Sequence, residues 1–299
     1  MKRKKIALIG SSPIMLIIAS HLSSLNYAVT IFNPNKKIGG AWSYYKFKDH
    51  YISTQTNVIV PDTKFEERNM FLINQFLKRK FNISVKRNMN KFKPLGYLAK
   101  KNFDYNLNPL YSKVVNDPKV KIKKKFIRKI IVKKNKIIID NNSFNEVYLP
   151  TYNGVETLII EKSKIDIKPR IIISEHVMVI AKKINRKYLA YSENFDDNFD
   201  RAQIKKIENL TVFTARVRKN KKGKNITNLI MNSNLVKKKT DIVKIVKTKY
   251  KNYYRNFEQR DFLSRNVIGT PINYVNSALF VESFFSINEK FNLLKKSYK

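Results

Sequence analysis

The sequence predicts an α/β chain: a three-layer unit built on a parallel sheet with a β-meander, joined to a smaller β-rich α+β unit. Three observations carry this. Ile6-Ala7-Leu8-Ile9 is a short apolar run without helical period, which suits a parallel strand buried on both faces. A glycine turn, an apolar helical segment and a second buried run follow it within about 30 residues. Further on, Val120 to Pro150 holds short β-branched runs separated by polar turns.

Each element follows from its residues. Gly10-Ser11-Ser12-Pro13 is a tight turn. Ile14 to Leu25 places apolar residues at Ile14, Leu16, Ile17, Ile18, Leu22 and Leu25, a pattern that suits a packed helix. Ala28-Val29-Thr30-Ile31-Phe32 is the second strand. Ile6 to Trp42 therefore reads as one βαβ unit, the dinucleotide-binding unit of a doubly wound fold. A pyrophosphate needs backbone N–H donors at close range and the positive end of a helix. The G-x-G-x-x-G frame falls on Gly10, Ser12 and Met15. Ser12 is small and brings a hydroxyl. Met15 implies a wider helix offset or a reshaped sheet. Asn33 stands where an acidic residue usually binds the ribose.

Lys36-Lys37-Ile38-Gly39-Gly40-Ala41-Trp42 follows the second strand after a short turn. Tyr44, Tyr45, Phe47 and Tyr51 form an aromatic cluster, and Ser53 to Asn57 is a polar stretch. Glu66 to Phe81 reads as an amphipathic helix, with acids in its first turn and Lys78, Arg79 and Lys80 in its last. Phe92 to Leu110, with Pro94, Gly96 and Pro109, reads as irregular. Asp117-Pro118 is a turn. Val120 to Pro150 then supplies three or four strands around turns at Lys133 to Lys136 and Asn141 to Ser143.

Ile165 to Ile167 and Arg170 to Ile180 are strand-like. So is Leu210 to Arg218. Leu235 to Tyr254 is very basic and compatible with a helix. Val267-Ile268-Gly269-Thr270 reads as a short last strand, with a helix beginning near Tyr274 to Phe285 and capped by Asn276 or Ser277.

On these residues the chain resembles FAD-dependent oxidoreductases, the broad group of amine-oxidase-like and UDP-galactopyranose-mutase-like flavoproteins. The resemblance rests on the Gly10 turn, Gly39-Gly40, the meander and the Gly269 segment with its helix, about half of the chain. It implies a discontinuous FAD/NAD(P)-binding Rossmann-like domain over residues 1–60, 110–160 and 255–299. It also implies a substrate or cap domain over 61–109 and 161–254. The pyrophosphate would lie at Gly10, Ser11, Ser12, Pro13 and Ile14, with Asn33 at a ribose. Gly39, Gly40, Ala41 and Trp42 would pass the ribityl-diphosphate, and Thr56 and Asn57 would lie near the flavin ring. Main-chain groups at Ile127 would meet the adenine. Gly269, Asn276, Ser277 and Ala278 would close on the flavin from the C-terminal end. Two other readings stay open: a module of this fold without a cofactor, and an NADP enzyme in which Asn33, Lys36 and Lys37 accept a 2′-phosphate.

Composition narrows the function. The chain has no Cys, so no disulfide and no thiolate nucleophile or ligand. His21, His50 and His176 have no metal-ligand spacing, and no metal is expected. There is no apolar run of about 18 residues, hence no transmembrane helix. Met1 to Lys5 leads into a strand and does not read as a signal peptide, so a cytoplasmic location is the expectation. The net charge is +39. Lys far outnumbers Arg, and Asn and Ile are abundant, as A/T-rich codons would produce. The charge is therefore read as compositional, with weak binding to anionic surfaces and no specific nucleic-acid partner. A small substrate in an interdomain cleft is expected. Arg201 and Arg216 are the candidates to face an anionic group, and His176 is a candidate acid–base residue. Glu193, Asp196, Asp197 and Asp200 are expected to pair with nearby cations.

Overall fold

The computed structural model describes residues 3–35, 37–54, 58–59, 64–83, 85–89, 101–134, 136–185, 192–276 and 280–294. Strand β1 (Lys5–Ile9), helix α1 (Pro13–Ser24) and strand β2 (Ala28–Phe32) form the expected βαβ unit. β1 and β2 run parallel from Lys5↔Ala28 to Ile9↔Phe32. A single 3₁₀ turn at Gly40–Trp42 leads to the hairpin β3 (Tyr44–Phe47) and β4 (His50–Ser53). Then come β5 (Val58–Ile59), α2 (Lys64–Phe81), β6 (Val85–Met89), β7 (Lys101–Tyr105) and α3 (Asn108–Val115). β5, β7 and β6 form a small antiparallel sheet.

β8 (Val120–Lys123) joins the parallel sheet beside β2. β9 (Lys129–Lys133), β10 (Lys136–Ile139) and β11 (Asn142–Phe144) are an antiparallel meander, and β12 (Glu146–Pro150) returns to the parallel sheet. The hairpin β13 (Thr157–Ile160) and β14 (Ser163–Asp166) extends the meander beside β9. β15 (Arg170–Ala181), β16 (Ser192–Asn194), β17 (Phe199–Ile207), β18 (Leu210–Val217) and, after α4 (Ile226–Asn232), β19 (Ile242–Tyr254) build a third five-stranded sheet. Its order is β16-β17-β18-β15-β19. α5 (Phe257–Asn266), β20 (Ile272–Val275) and α6 (Phe280–Phe291) complete the described chain.

The parallel sheet, in the order β20-β12-β1-β2-β8, has an apolar layer on each face. Successive strand residues point to opposite faces. Ile6, Leu8, Val29, Ile31 and Tyr148 join α1, α2, α3 and α6 in one core. Ala7, Ile9, Phe32, Val147 and Leu149 join the meander and Leu263 of α5 in another. This is the predicted three-layer α/β architecture. α1 sits in the middle of the helical layer, and every residue from Pro13 to Ser23 is buried. That explains why its sequence is apolar around most of the cylinder. The third sheet packs one face on α4 and places Met178, Ile180 and Val212 against Ile52 of β4 on the other.

Several expectations are corrected. The segment Phe92 to Leu110, read as irregular, holds β7 and the first turn of α3. Pro109 lies in the first turn of α3, where its missing N–H costs nothing, and does not break a helix. Leu235 to Tyr254, read as helix-compatible, contains the 13-residue strand β19. Its β-branched residues Ile242, Val243, Ile245, Val246 and Thr248 favour extended backbone. Pairing with β15 along its whole length, from Arg170↔Tyr254 to Ala181↔Ile242, then decides the outcome. The last parallel strand is Ile272–Val275, not Val267 to Thr270, which turns after α5. Tyr274 therefore belongs to a strand, not to a helix.

Candidate functional site

In a parallel sheet, ligands meet the C-terminal ends of the strands, where loops and helix N-termini converge. Here that edge carries Gly10 to Ser12 after β1, Asn33 after β2, Thr151 after β12 and Asn276 after β20. Gly10 has φ +89, and a Cβ built there would meet nothing within 4 Å. Its conformation favours glycine, and the space beside it is open. Ser12 is the N-cap of α1 with extended backbone, yet its side chain makes no capping bond. The Ser12 hydroxyl is buried without a hydrogen-bond partner. Pro13 brings no N–H, and Ile14 and Met15 supply N–H groups that a helix leaves unpaired at its start. An orphaned hydroxyl beside an open glycine, at the positive end of a 12-residue helix, fits a phosphate oxygen.

Ser11 is turned inward. Its hydroxyl donates to Asn33 Oδ1 at 3.1 Å and accepts from Gly39 N at 3.1 Å. Gly39 N also donates to Ser11 O at 3.0 Å. Asn33 is 2% exposed, and its Nδ2 donates to Asn35 O and Lys37 O at 2.8 and 3.0 Å. The first turn, the end of β2 and the Gly-Gly turn are thus locked together. Gly39 needs its φ of +98, and a Cβ there would lie 2.7 Å from the Tyr111 ring. The Tyr111 hydroxyl donates to Trp42 O at 2.7 Å, and Trp42 stacks on Phe280, the first residue of α6, with ring centroids 6.0 Å apart. Gly40 and Ala41 form the 3₁₀ turn between them.

Other expected cofactor residues fall in different places. Ile127 is buried in the coil before β9, in the same apolar cluster as Ile9 and Phe32. Asn276 follows β20 and is exposed, with its Oδ1 3.3 Å from the Thr151 hydroxyl. Gly269 is corrected: it precedes β20 and so lies at the N-terminal edge of the sheet, about 13 Å of strand away from Asn276. Thr56, Asn57, Ser277 and Ala278, together with Lys36, lie outside the described residues.

The third sheet brings together the three candidate catalytic residues. Asp200, Arg216, His176 and Thr248 stand opposite one another across β17, β18, β15 and β19. Direct cross-strand partners share a face, so these four form one polar row. Arg216 binds Asp200 through Nε–Oδ1 at 2.6 Å and Nη2–Oδ2 at 2.8 Å. This bidentate pair already engages its charge. It also bears out the expectation that Asp200 pairs with a cation. Arg201 is exposed, with φ +45. His176 is buried, 3.2 Å from the Ser174 hydroxyl and edge-on to Tyr250. Burial first, then the positive charges of Arg216 and Arg201, outweigh Asp200 and lower its pKa to about 4, so the ring is neutral at pH 7.

Some residues here carried no motif. The Tyr250 hydroxyl contacts Thr54 Oγ1 at 2.6 Å and Ser43 Oγ at 3.3 Å, which ties the polar row to the segment after Gly39-Gly40. The amide oxygen of Gln203 and the hydroxyl of Thr248 are buried without partners. Arg255 is fully buried. It donates to Ile167 O, Thr151 O, Asn153 O and Val155 O, which fixes the loop after β12. Burial lowers its pKa to about 10, so it stays charged. Among the described residues, no group of His, Asp and Glu could hold a metal ion, and no helix is long and apolar enough to cross a membrane.

No family model and no curated protein matches this sequence. Solved structures do match its fold. A candidate protoporphyrinogen oxidase from Exiguobacterium sp. 255-15 is 9% identical over 98% of this chain and 99% of that one, with a TM-score of 0.61. Putrescine oxidase, solved bound to putrescine and a subject of cofactor-binding redesign, is 6% identical over 99% and 98%, with a TM-score of 0.61. A CLA-producing fatty acid isomerase from P. acnes is 9% identical over 96% and 98%, with a TM-score of 0.52. Two oxidases and an isomerase thus share this architecture. At such identities the likeness shows the fold alone.

Proposed function

We propose that this chain is an FAD-binding flavoprotein of the oxidoreductase type, acting on a small substrate. The observation that carries this is the unsatisfied Ser12 hydroxyl at the start of α1, beside the open Gly10. Sheet order and the Gly39-Gly40 turn support it, as does the fold shared with oxidases. Gly10, Ser12 and Ile14 would hold the diphosphate, and Trp42 with Asn276 would border the rest of the cofactor. FAD, when bound, supplies the redox chemistry. In this reading residues 1–60, 110–160 and 255–299 form the cofactor unit, and residues 61–109 and 161–254 the substrate unit.

The substrate would meet the polar face of the third sheet. Arg216 is engaged by Asp200, so Arg201 is the arginine assigned to an anionic group. Neutral His176 would accept a proton there and would not carry charge. A cytoplasmic location belongs to this reading too. The visible spectrum tests it. Flavin bands that survive desalting support it, and added FAD should raise thermal stability by mass action. A colourless protein that ignores added FAD would sink it.

A second reading, a module of this fold without a cofactor, is favoured by one feature. The side chain of Asn33, at the usual ribose position, is already bonded to Ser11 of the first turn and to Asn35 and Lys37 of its own loop. The same spectrum separates the two.

A further inference from the structure

We propose that the site grips a nucleotide by its diphosphate and leaves the ribose beside β2 unread by a side chain. The inference rests on the flavoprotein reading above. It starts from Asn33, which closes β2 where a side chain would face the sugar. Its oxygen accepts from the Ser11 hydroxyl, and its nitrogen donates to the carbonyls of Asn35 and Lys37. An amide has two N–H donors, and both have acceptors inside the loop. A ribose hydroxyl that accepts from this amide would have to displace one of these bonds, and the remaining lone pair of the amide oxygen belongs to a side chain only 2% exposed.

The nearby cation does not fill the gap. Lys37 Nζ donates to Tyr44 O at 3.1 Å and lies over the Tyr45 ring. Asn33 acts instead as a positioning residue. It holds Ser11, and Ser11 holds Gly39, so the glycine turn stands at a fixed distance from the start of α1.

The phosphate end is the reverse case. Ser12 Oγ has no partner, Gly10 leaves open space, and α1 directs its N-terminus to the same place. Free hydrogen-bonding capacity is concentrated where the diphosphate would sit, whereas where the sugar would sit both donors are engaged and the side chain is buried. The ligand class that follows is a nucleoside diphosphate moiety whose sugar contributes little to affinity.

Calorimetric titration of the full chain with FAD, ADP, 2′,3′-dideoxy-ADP and AMP tests this. ADP and its dideoxy analogue should bind within about threefold of each other. AMP, lacking the second phosphate, should bind about tenfold more weakly or worse. A tenfold or greater loss for the dideoxy analogue, with FAD still bound, overturns the inference and leaves the flavoprotein reading standing. If FAD and both diphosphates all fail to bind, the flavoprotein reading falls and the inference falls with it. Asn33→Asp gives a second check. A carboxylate cannot donate to Asn35 O or Lys37 O, so the variant should melt lower while the ratio of ADP to dideoxy-ADP affinity stays near one. A variant that gains about tenfold preference for ADP would show that this side chain does face the ribose.

Discussion

Acidification tests the environment of His176. The residue is 8% exposed, and its pKa falls from 6.5 to about 4, chiefly through burial and then through Arg216. In the unfolded chain the imidazole takes its proton near pH 6.5. Between that pH and about 4 the unfolded state binds more protons, so stability falls as pH falls. The full shift corresponds to roughly 3 kcal/mol, and the part between pH 7 and pH 5 to about 2 kcal/mol. Carboxylates titrate as well, so the comparison needs a variant that cannot take up this proton. His176→Gln keeps a polar side chain of similar reach. Urea unfolding of both proteins at pH 7 and pH 5 gives four free energies. The wild type should lose about 2 kcal/mol more than the variant on acidification. Equal losses, within about 0.5 kcal/mol, would show that burial does not hold back the protonation of His176 and would refute this account of its environment.

Four further outcomes are expected. Arg255→Met leaves the carbonyls of Thr151, Asn153, Val155 and Ile167 without their shared donor, and should cost about 3–5 kcal/mol. Circular dichroism melts should show the midpoint lower by roughly 5–10 °C. Gly39→Ala meets the Tyr111 ring at 2.7 Å and holds φ +98, so it should destabilise by about 2–3 kcal/mol. Gly40→Ala has φ +57 and no contact, and should cost only about 1 kcal/mol in the same melts. Ser12→Ala removes a hydroxyl that has no partner. The free protein should be unchanged or up to about 1 kcal/mol more stable, while FAD titration should show roughly five- to tenfold weaker binding.

Much of the fold was legible because burial on both faces leaves a direct trace in sequence. β1 and β2 are apolar almost throughout and lie between two layers, and α1 is apolar because its own residues from Pro13 to Ser23 are all buried. The third sheet was less legible. In β19 the exposed Lys residues fall on both faces, Lys244 opposite Ile180 and Lys247 opposite Val177, and the other residues are at most half-buried, so no alternation is sustained along the strand. Period alone does not separate that pattern from a helix, and β15 decides it from 60 or more residues away in sequence. α3 was hidden by Pro109, which reads as a breaker until its place in the first turn is known. Arg255 carried no signal at all. A lone arginine in a chain with 61 basic residues cannot announce that four carbonyls surround it.

The three departures from the glycine fingerprint do not weigh equally. Met15 was expected to widen the helix offset or reshape the sheet. It is fully buried in the helical layer, and β1 and β2 still pair residue for residue along their length, so any adjustment stays within the packing of α1. Ser12 replaces a glycine whose role is close approach, yet its own hydroxyl is left unsatisfied at that point of approach. Its buried oxygen is a standing cost that a phosphate would remove. Asn33 is the departure that would change what such a site reads, because both amide donors are engaged by Asn35 and Lys37 and the side chain is 2% exposed. A fingerprint counts glycines, whereas a phosphate meets backbone geometry and free donors. Both are present at Gly10 and Ser12, and the free donors are missing at Asn33. On the flavoprotein reading proposed here, the sequence departures would therefore bear on nucleotide selectivity more than on whether a phosphate is held.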